Sequence, residues 1–279
     1  MAVHTIGVIV TATDAAGSAS ADAPLVPLVD DFTSDSTIDT NVWTELDQQG
    51  DTSNGEVECY EPSQLSVNST DGLDETEQYV AGGFTCPAGT PDSSDPLSWL
   101  SGAVQMRSVN FTYGTVVARA EMAGGDGAWP AIWLLGAACQ QPNWLTADGA
   151  SGGFRCPWPN DSDDAAEIDV AEDLGSNGTS EINENLYNTG VSSACTVDTG
   201  ADLSGQYHDY EVDWSPGSLV FKIDGTTTDC GITGSAVPSH PMFLIINTAA
   251  CTTSSSCGHG TDTSTFPQTT KIAWVHISH

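Results

Sequence analysis

The chain has 279 residues, with 38 Asp and Glu against only 5 Lys and Arg, so its formal net charge is −33. This charge excludes nucleic acid as a partner, because nucleic-acid binding depends on basic contacts with phosphate, and it argues against anionic membranes and polyanionic substrates. The length suffices for one substantial core, and all-β domains of this size are often single.

Residues 1–23 are typical of a degraded or truncated export signal. A short apolar run, Ile6 to Thr13, precedes two small-residue sequences of the Ala-x-Ala type that end at Ala21 and Ala23. The positively charged start of such a signal is missing, so a disordered N-terminus is the alternative. No other segment approaches a membrane span. We expect a secreted protein with a single domain at 24–279.

The chain contains eight cysteines, and none of them forms a Cys-x-x-Cys pair. This spacing gives little support to a zinc site, whereas an even number of cysteines in a secreted protein favours disulfides. Sequence alone cannot fix their connectivity. Nearest-neighbour pairing would join Cys59 with Cys86, Cys139 with Cys156, Cys195 with Cys230, and Cys251 with Cys257.

From Pro24 onward the pattern is one of short strands separated by turns. Loops are predicted at 73–96 and 136–164, which are irregular and rich in turn-forming residues. No helical period exceeds two turns and no βαβ alternation occurs, so we predict an all-β sandwich. The predicted strands are 39–44, 54–60, 63–68, 102–108, 113–122, 128–135, 167–172, 180–188, 207–214, 219–223, 242–248 and 271–278.

Three carboxylates, Glu167, Asp169 and Glu172, lie within six residues. A regular strand places residues i and i+2 on one face, and the third acid comes one residue late, which a β-bulge accommodates. Ile168 and Val170 would then point into a core. Because close like charges raise the pKa of one partner, such a row can hold a protonated acid beside an ionised one and hydrolyse glycosidic bonds. An exposed acidic strand is the alternative.

Two runs together carry a resemblance to a known family. The run from Gly127 to Leu135 is GAWPAIWLL, and the run from Glu167 to Glu172 is EIDVAE. In this order they resemble motifs of glycoside hydrolase family sixteen, in its laminarinase-like branch. The resemblance extends from about residue 30 to the end, and further matching segments are Phe111 to Gly114 with Arg119, Tyr207 to Trp214, Pro241 to Asn247, and Lys271 to Ser278.

The resemblance implies a β-jelly-roll sandwich of two antiparallel sheets with a concave substrate cleft, and retaining hydrolysis of β-glycans. Carried over by position, Glu167 is the nucleophile, Glu172 the general acid/base, and Asp169 the carboxylate between them. A retaining pair needs carboxyl groups about 5–5.5 Å apart, which residues on one face of a strand can reach. Glu167 would attack the anomeric carbon while Glu172 protonates the leaving oxygen and later activates water.

The bulged spacing Glu-x-Asp-x-x-Glu resembles laminarinases, agarases and carrageenases, whereas the regular spacing resembles lichenases and xyloglucan enzymes. Galactans are often sulfated, and a chain of charge −33 suits a polyanion poorly. We therefore expect an endo-acting hydrolase of internal β-1,3, or mixed β-1,3/1,4, linkages in neutral β-glucans such as laminarin. A β-glucan transglycosylase and a non-catalytic glycan-binding sandwich are the alternatives, and an agarase-like galactanase ranks below them.

Trp129 and Trp133 are the predicted sugar platforms, because the C–H groups of a pyranose face pack on aromatic rings. They are four apart and share a face in a strand, although burial in a core would also suit them. Arg107 or Arg119 could pair with the acid cluster, a structural ion pair being the alternative. Further candidate substrate contacts are Asn54, Glu58, Arg107 and His208. For His208, a core histidine is the alternative.

Three positions depart from the family pattern. Tyr187 stands where relatives commonly have His, and Ala166 where the residue before the nucleophile is usually Gly. Ala273 stands where relatives often have the Asp of a structural Ca²⁺ site. The oxygen-rich run 161–164 could supply Ca²⁺ ligands, but it is more typical of a solvated loop. The predicted chemistry requires no cofactor. We expect a monomer that binds a neutral β-glucan and neither nucleic acid nor a membrane.

Overall fold

The computed structural model describes residues 28–50, 55–86, 97–140, 158, 164–175, 180–251 and 263–279. The predicted export signal, Asn54, the run 161–163, Cys156 and Cys257 lie outside these ranges. The described residues form strands joined by turns and short 3-10 helices. In this part of the chain we find no helix that is both long and apolar enough to cross a membrane.

Most strands of the described chain are short, as the sequence predicts, but β6 has 13 residues and β19 has 11. In chain order they are β1 (Leu28–Asp31), β2 (Trp43–Glu45), β3 (Gln48–Gln49), β4 (Glu58–Tyr60), β5 (Leu65–Asn68), β6 (Gly72–Phe84), β7 (Leu97–Ser101), β8 (Ala103–Met106), β9 (Gly114–Glu121), β10 (Ala128–Gly136), β11 (Glu167–Glu172), β12 (Glu181–Asn188), β13 (Val191–Asp198), β14 (His208–Ser215), β15 (Ser218–Ile223), β16 (Thr226–Thr227), β17 (Ile232–Thr233), β18 (Met242–Ala250) and β19 (Gln268–Ser278).

These strands form two sheets. The smaller has seven strands in the order β13-β12-β11-β10-β18-β8-β2, and the larger has twelve, along a central path β16-β15-β14-β9-β19-β6-β7-β4-β3. The chain crosses between the sheets several times, as in a jelly roll: β9 lies in the larger sheet, β10 to β13 in the smaller, and β14 in the larger again. Among the described strands only β4 and β7 pair in parallel. The predicted jelly-roll sandwich is confirmed, with this pair as the exception to antiparallel pairing.

The hydrophobic core fills the space between the two sheets. Strand β14 shows how the sequence produces it, because Tyr210, Val212 and Trp214 alternate with more exposed residues and are buried. From the smaller sheet, Ile168 and Val170 are also buried, at 0% and 1% exposure. The prediction that these two residues point into a core is confirmed, which leaves the opposite face of β11 for the carboxylates.

Strand β6 corrects the loop predicted at 73–96. Its interior-facing positions include Leu73, Glu75 and Glu77, all fully buried. Two of these three are acids, so the apolar alternation that indicates a strand is missing from the sequence. Other unpredicted strands include β7 and β13. Strand β13 lies at the edge of the smaller sheet, where its residues are only partly buried or exposed.

The buried acids of β6 face a polar layer between the sheets. The Thr248 hydroxyl lies 3.3 Å from Glu75 Oε2, whereas Glu77 accepts a hydrogen bond from no described residue. Burial raises the pKa of both carboxyls well above their usual range, and the charge of Glu58 raises that of Glu77 further. Across the described ranges, no group of three or more His, Cys, Asp or Glu is arranged to hold a metal ion.

Basic side chains lie mainly on the outer face of the larger sheet. Three of the five in the chain form ion pairs there. Arg119 therefore belongs to a structural ion pair rather than to the predicted acid cluster. The pairs are Lys222 with Glu211 (2.5 Å) and Asp213 (2.6 Å), Lys271 with Glu121 (2.9 Å), and Arg119 with Asp209 (2.7 Å).

Two of the four predicted disulfides are confirmed. Cys59 pairs with Cys86, and Cys195 with Cys230. Cys139 and Cys251 are disulfide-bonded as well, but their predicted partners lie outside the described residues, so those two pairings stay predictions. The confirmed bonds tie strand β4 to the end of β6, and the edge strand β13 to the segment after β16.

We predict that Glu77→Gln raises the free energy of unfolding at pH 8 by about 1–3 kcal/mol. The folded pKa of Glu77 lies above its unfolded value, so the folded state keeps a proton that the unfolded chain releases above about pH 4.5. The stability from this proton is complete below that pH and is lost as the pH rises toward the folded pKa. The amide cannot ionise and avoids the loss. Urea unfolding at pH 4 and pH 8 measures the difference.

The control for this experiment is Glu45→Gln, on the partly exposed strand β2. It should alter the free energy of unfolding little at either pH. If Glu77→Gln changed stability by the same amount at pH 4 and pH 8, the explanation by a retained proton would be wrong.

Candidate active site

Strand β11 carries the predicted carboxylates on one face because it contains a β-bulge. In its pairing with β10, Trp133 lies opposite Asp169 and Ala131 lies opposite Glu172, so three residues of β11 advance against two of β10. The pairing with β12 contains the same irregularity between Asp169 and Glu172. The predicted bulge is present, and it brings Glu172 to the face that Asp169 and Glu167 already share.

Two glycines allow close backbone approach at the ends of β11. A methyl group on Gly136, at the end of β10, would overlap the carbonyl oxygen of Asp164, just before β11. A methyl group on Gly175, just after β11, would overlap the carbonyl oxygen of Gly125, just before β10. A larger residue at either position would push β11 away from β10, so the glycines fix the carboxylates relative to the tryptophan strand.

Glu172 is held by one donor on each neighbouring strand. The indole Nε1 of Trp129 donates to Glu172 Oε1 at 2.9 Å, and Nδ2 of Asn185 donates to Oε2 at 2.6 Å. Burial raises the pKa of Glu172 to about 7, and both hydrogen bonds oppose this rise because they favour the ionised form. The carboxyl group therefore has one orientation and gains or loses its proton near neutral pH.

Asp169 is 2% exposed and lies between the two glutamates. Burial raises its pKa well above the usual range, and the charges of Glu172 and Glu167 raise it further. Its side chain also hydrogen-bonds Glu167 and Asn185. These effects favour the protonated form of Asp169, which can donate a hydrogen bond to Glu167 and so help Glu167 to remain a carboxylate.

Tyr187 lies opposite Glu167 on strand β12. Its ring centroid is 6.2 Å from that of Trp158. Burial raises the pKa of Tyr187, and the charges of the three carboxylates add to the rise. Tyr187, at the position where the resemblance led us to expect a histidine, is therefore a neutral phenol that can donate a hydrogen bond beside the carboxylates.

Trp129 and Trp133 are half-buried on the open face of β10, as their spacing predicts. Nε1 of Trp133 donates to Oδ1 of Asn247 at 2.7 Å, and Nδ2 of Asn247 donates to Oη of Tyr60 at 2.9 Å. Oη of Tyr60 in turn lies 3.4 Å from Oε2 of Glu56. This chain of hydrogen bonds fixes the ring of Trp133 through β18 and β4.

The other predicted substrate contacts are not gathered at the carboxylates. Glu58 is fully buried, and its Oε2 accepts from the backbone N–H of Ala250 at 2.8 Å, which corrects its predicted contact with sugar. Arg107 is exposed beyond the end of β8, where it donates to the carbonyl of Thr40 at 3.0 Å. Strand β8 lies three strands, about 14 Å, from β11. Asn54 lies outside the described residues, and its role stays a prediction.

His208 agrees with the alternative to its predicted substrate contact, a buried histidine. It begins strand β14 of the larger sheet, whereas the carboxylates lie on the smaller sheet. Its Nδ1 is 2.7 Å from Oδ2 of Asp224, and its side chain is mostly buried. The histidine motif that the sequence shares with the family therefore supports the larger sheet and stays away from the candidate site.

Asn185, Asn247 and Tyr60 were not singled out by the sequence, although all three hydrogen-bond site residues. A signal existed on β12, where Asn183, Asn185 and Tyr187 alternate with other residues directly after the acidic strand. Asn is uncommon in strands, so its repetition at every second position indicates a polar face with a purpose. Asn247 and Tyr60 gave no such signal, because each stands alone among residues of other kinds.

Comparison with known families supports this geometry. The family model described as Glycosyl hydrolases family 16 matches residues 51–276. The match spans more than half of the chain and includes both the tryptophan strand and the three carboxylates. The chain belongs to glycosyl hydrolase family 16. The resemblance that the two motifs indicate is therefore confirmed.

Two curated relatives of this chain differ from each other in their named activities. The chain is 28% identical over 168 residues to a keratan-sulfate endo-1,4-beta-galactosidase of Sphingobacterium multivorum, which covers 56% of this chain and 35% of that protein. It is 32% identical over 146 residues to the endo-1,3-1,4-beta-glycanase ExsH of Rhizobium meliloti (strain 1021), which covers 50% and 25% respectively. The matched region is thus a quarter to about a third of these relatives.

Solved structures of two endo-1,3-beta-glucanases share the fold. The catalytic domain of an endo-1,3-beta-glucanase (laminarinase) from Thermotoga petrophila RKU-1 is similar with a TM-score of 0.67 at 23% identity, covering 89% of this chain and 95% of that one. An endo-beta-1,3-glucanase from Pyrococcus furiosus gives 0.68 at 22% identity, covering 89% and 92%. At these identities the likeness establishes the sandwich fold alone.

We predict that Gly136→Ala lowers the free energy of unfolding by about 1–3 kcal/mol, because its methyl group overlaps the Asp164 carbonyl and forces β11 to shift. Urea unfolding measures the loss. The control is Gly231→Ala, where the nearest atom, the carbonyl oxygen of Leu219, lies 3.3 Å from the added methyl group. Equal stability of the two variants would contradict the close approach at Gly136.

Proposed function

We propose that the protein is a secreted, retaining endo-β-glucanase that cleaves internal β-1,3 linkages, or mixed β-1,3/1,4 linkages, of neutral glucans such as laminarin. The observation that carries the proposal is the bulged strand β11, which aligns three carboxylates beside two half-buried tryptophans. Membership of family 16 supports the reaction class. The two described disulfides suit an oxidising, extracellular setting.

In the first step, Glu172 supplies a proton and Glu167 supplies electrons. Because the pKa of Glu172 is about 7, it is largely protonated in mild acid and can protonate the glycosidic oxygen. The Glu167 carboxylate attacks the anomeric carbon from the other side. The bond from that carbon to the leaving oxygen breaks, and an ester bond to Glu167 forms.

In the second step, Glu172 acts in the opposite direction. Having lost its proton, it accepts one from a water molecule that attacks the anomeric carbon and releases Glu167. The proton on Asp169 helps here, because its hydrogen bond to Glu167 stabilises the departing carboxylate. The net result is hydrolysis with retention, and both active carboxyl groups return to their starting protonation.

The charge of the chain and the site together favour a neutral sugar polymer. Trp129 and Trp133 offer aromatic surface to pyranose rings on either side of Ala131, in line with the carboxylates. The described basic side chains are either ion-paired on the outer face of the larger sheet or, for Arg107, three strands from β11. A sulfated substrate would bring further negative charge to a chain of −33.

We predict that Glu167→Gln and Glu172→Gln each reduce kcat at least about a thousandfold, because each removes a group on which both chemical steps depend. Azide distinguishes the two roles. With an activated aryl glycoside, Glu172→Ala should regain turnover in azide and yield the β-glycosyl azide, whereas Glu167→Ala should yield the α-azide. Product analysis by NMR decides the assignment.

The control is Glu181→Gln, at the start of the neighbouring strand β12, two residues before Asn183, which lies opposite Glu172. It should leave kcat almost unchanged. The reverse azide products would exchange the two roles, and full activity of either Gln variant would remove that residue from the mechanism.

We predict that laminarin and lichenan are hydrolysed with higher kcat/KM than agarose or keratan sulfate. The KM for laminarin should stay nearly constant from 0.1 to 1 M NaCl, although the screening length falls from about 10 Å to about 3 Å, because a neutral polymer has no charge to screen. Reducing-end assays and product sizing at each salt concentration provide the measurement.

Other outcomes of this assay identify the alternatives. Redistribution of chain length without new reducing ends would indicate a transglycosylase. Binding of laminarin without any bond cleavage would indicate a glycan-binding sandwich. Preferred cleavage of keratan sulfate, with a KM that falls steeply as salt increases, would point to a polyanionic galactan and would contradict the neutral-glucan proposal.

A further inference from the structure

We infer that Asn185 is a positioning residue, whose side-chain amide orients the Glu172 carboxyl group and keeps its proton transferable in both directions. The inference deepens the proposed function and rests on it for its catalytic meaning. It also makes a claim about proton affinity that can be measured without any substrate.

The orientation of the Asn185 amide is dictated by a neighbour that can only donate. The backbone N–H of Cys195 donates to Oδ1 of Asn185 at 3.2 Å. A backbone N–H cannot accept, so the amide oxygen has to lie on that side and the NH₂ group has to face Glu172. Asn185 is 4% exposed, which leaves no room for the opposite orientation to be satisfied by solvent.

The donor that sets this orientation is itself anchored. Cys195 lies on β13, the edge strand of the smaller sheet, and it is covalently bound to Cys230, which follows strand β16 of the larger sheet. Edge strands have a partner on one side only and move more easily than central ones. The disulfide limits that movement, so the Cys195 N–H keeps a fixed position against the Asn185 oxygen.

Asn185 and Trp129 each donate a hydrogen bond to a different carboxyl oxygen of Glu172. Trp129 donates to Oε1 and Asn185 to Oε2, so both oxygens have a partner while each keeps a further lone pair for the reacting proton. Burial favours the protonated form of Glu172, and these donors favour the carboxylate. Without Asn185, only Trp129 would counter the rise in the pKa of Glu172 that burial causes. Glu172 would then act well as an acid but poorly as a base.

Asn183 provides a matched comparison within the same strand. It lies two residues before Asn185 on the same face and is directly opposite Glu172 in the register of β11 and β12. Its Oδ1 accepts instead from the hydroxyl of Thr196 at 2.7 Å. Replacing it therefore perturbs the same polar face of β12 without removing the donor to the Glu172 carboxyl.

The test compares Asn185→Leu, which has similar volume and no donor, with Asn183→Leu. Carboxyl ¹³C NMR of glutamate-labelled protein follows the titration of Glu172, whose signal is assigned by its loss in Glu172→Gln. We expect the midpoint to rise from about 7 to about 8 in Asn185→Leu, since one hydrogen bond to a charged group is worth about one pKa unit. Asn183→Leu should leave it unchanged. Asn185→Ala serves the same purpose if the leucine variant does not fold.

Activity provides the second readout. The basic limb of the kcat/KM profile for Asn185→Leu should move to higher pH together with the NMR midpoint. With an activated aryl glycoside at pH 6, kcat should fall more than kcat/KM, because breakdown of the glycosyl-enzyme needs Glu172 as a base. Azide, which needs no base, should restore kcat.

The outcomes separate this inference from the proposed function. An unshifted Glu172 midpoint in both Asn185 variants, or an equal shift in Asn183→Leu, would overturn the positioning role even in an enzyme that hydrolyses laminarin. A shifted midpoint in a protein that cleaves no glycan would uphold the role of Asn185 at Glu172 and overturn the proposed hydrolase function instead.

Discussion

The β-bulge in strand β11 is the constraint on which the candidate active site depends. In a regular strand, Ala171 would share the face of Asp169, and Glu172 would point between the sheets into the hydrophobic core. The extra residue reverses this, because Val170 and Ala171 are both buried while Glu172 reaches the open face. The bulge disrupts the ladder locally, and the apolar burial of these two residues offsets that cost.

Burial and neutral donors, rather than basic residues, set the protonation of the acids at this site. The chain has few cations, and three of them are paired on the outer face of the larger sheet. Desolvation raises the pKa of Asp169 and Glu172, and donors without charge, Trp129 and Asn185, hold the Glu172 value near 7. A nearby lysine or arginine would stabilise the carboxylate more strongly and leave no protonated acid for the first step.

The same desolvation has a different consequence in the polar layer beneath β6. Glu75 and Glu77 occupy positions that an apolar residue would fill in an ordinary sandwich strand, and few hydrogen bonds compensate for their burial. A buried carboxyl group remains neutral at little electrostatic cost in mild acid, but it lowers the stability of the fold as the pH rises. The proposed acid/base group, Glu172, with a pKa of about 7, therefore sits in a fold that is itself stabilised by mild acid.

The features of the fold and site that could be predicted from the sequence are those whose residues follow the two-residue period of a strand. The sandwich, the bulge and the shared face of Trp129 and Trp133 followed from spacing alone, because a strand has a strict period of two. Strand β6 was missed, since its interior positions carry Glu75 and Glu77. For His208 the sequence left a substrate contact and a core histidine both open, and for Glu58 it suggested a contact, because a strand pattern does not say which of its two faces meets the substrate.

Residues that act through others were the hardest to predict. Asn185 contacts Glu172 across a strand pair, and Asn247 contacts Trp133 in the same way, so neither is close in sequence to its partner. Their importance depends on donor direction: an indole or a backbone N–H fixes which side of an amide must be oxygen. Such logic needs the register between strands, which local sequence patterns do not contain.

Each of the two described disulfides lies next to a residue that supports the candidate site through hydrogen bonds. Cys59 precedes Tyr60, the phenol that accepts from Asn247 and so helps to hold Trp133. Cys195 donates its own N–H to Asn185, which holds Glu172. Both bonds secure peripheral strands of their sheets rather than the central pair β10 and β11. Since the central strands are fixed by pairing on both sides, covalent links are most useful where the supporting residues, and not the carboxylates themselves, would otherwise move.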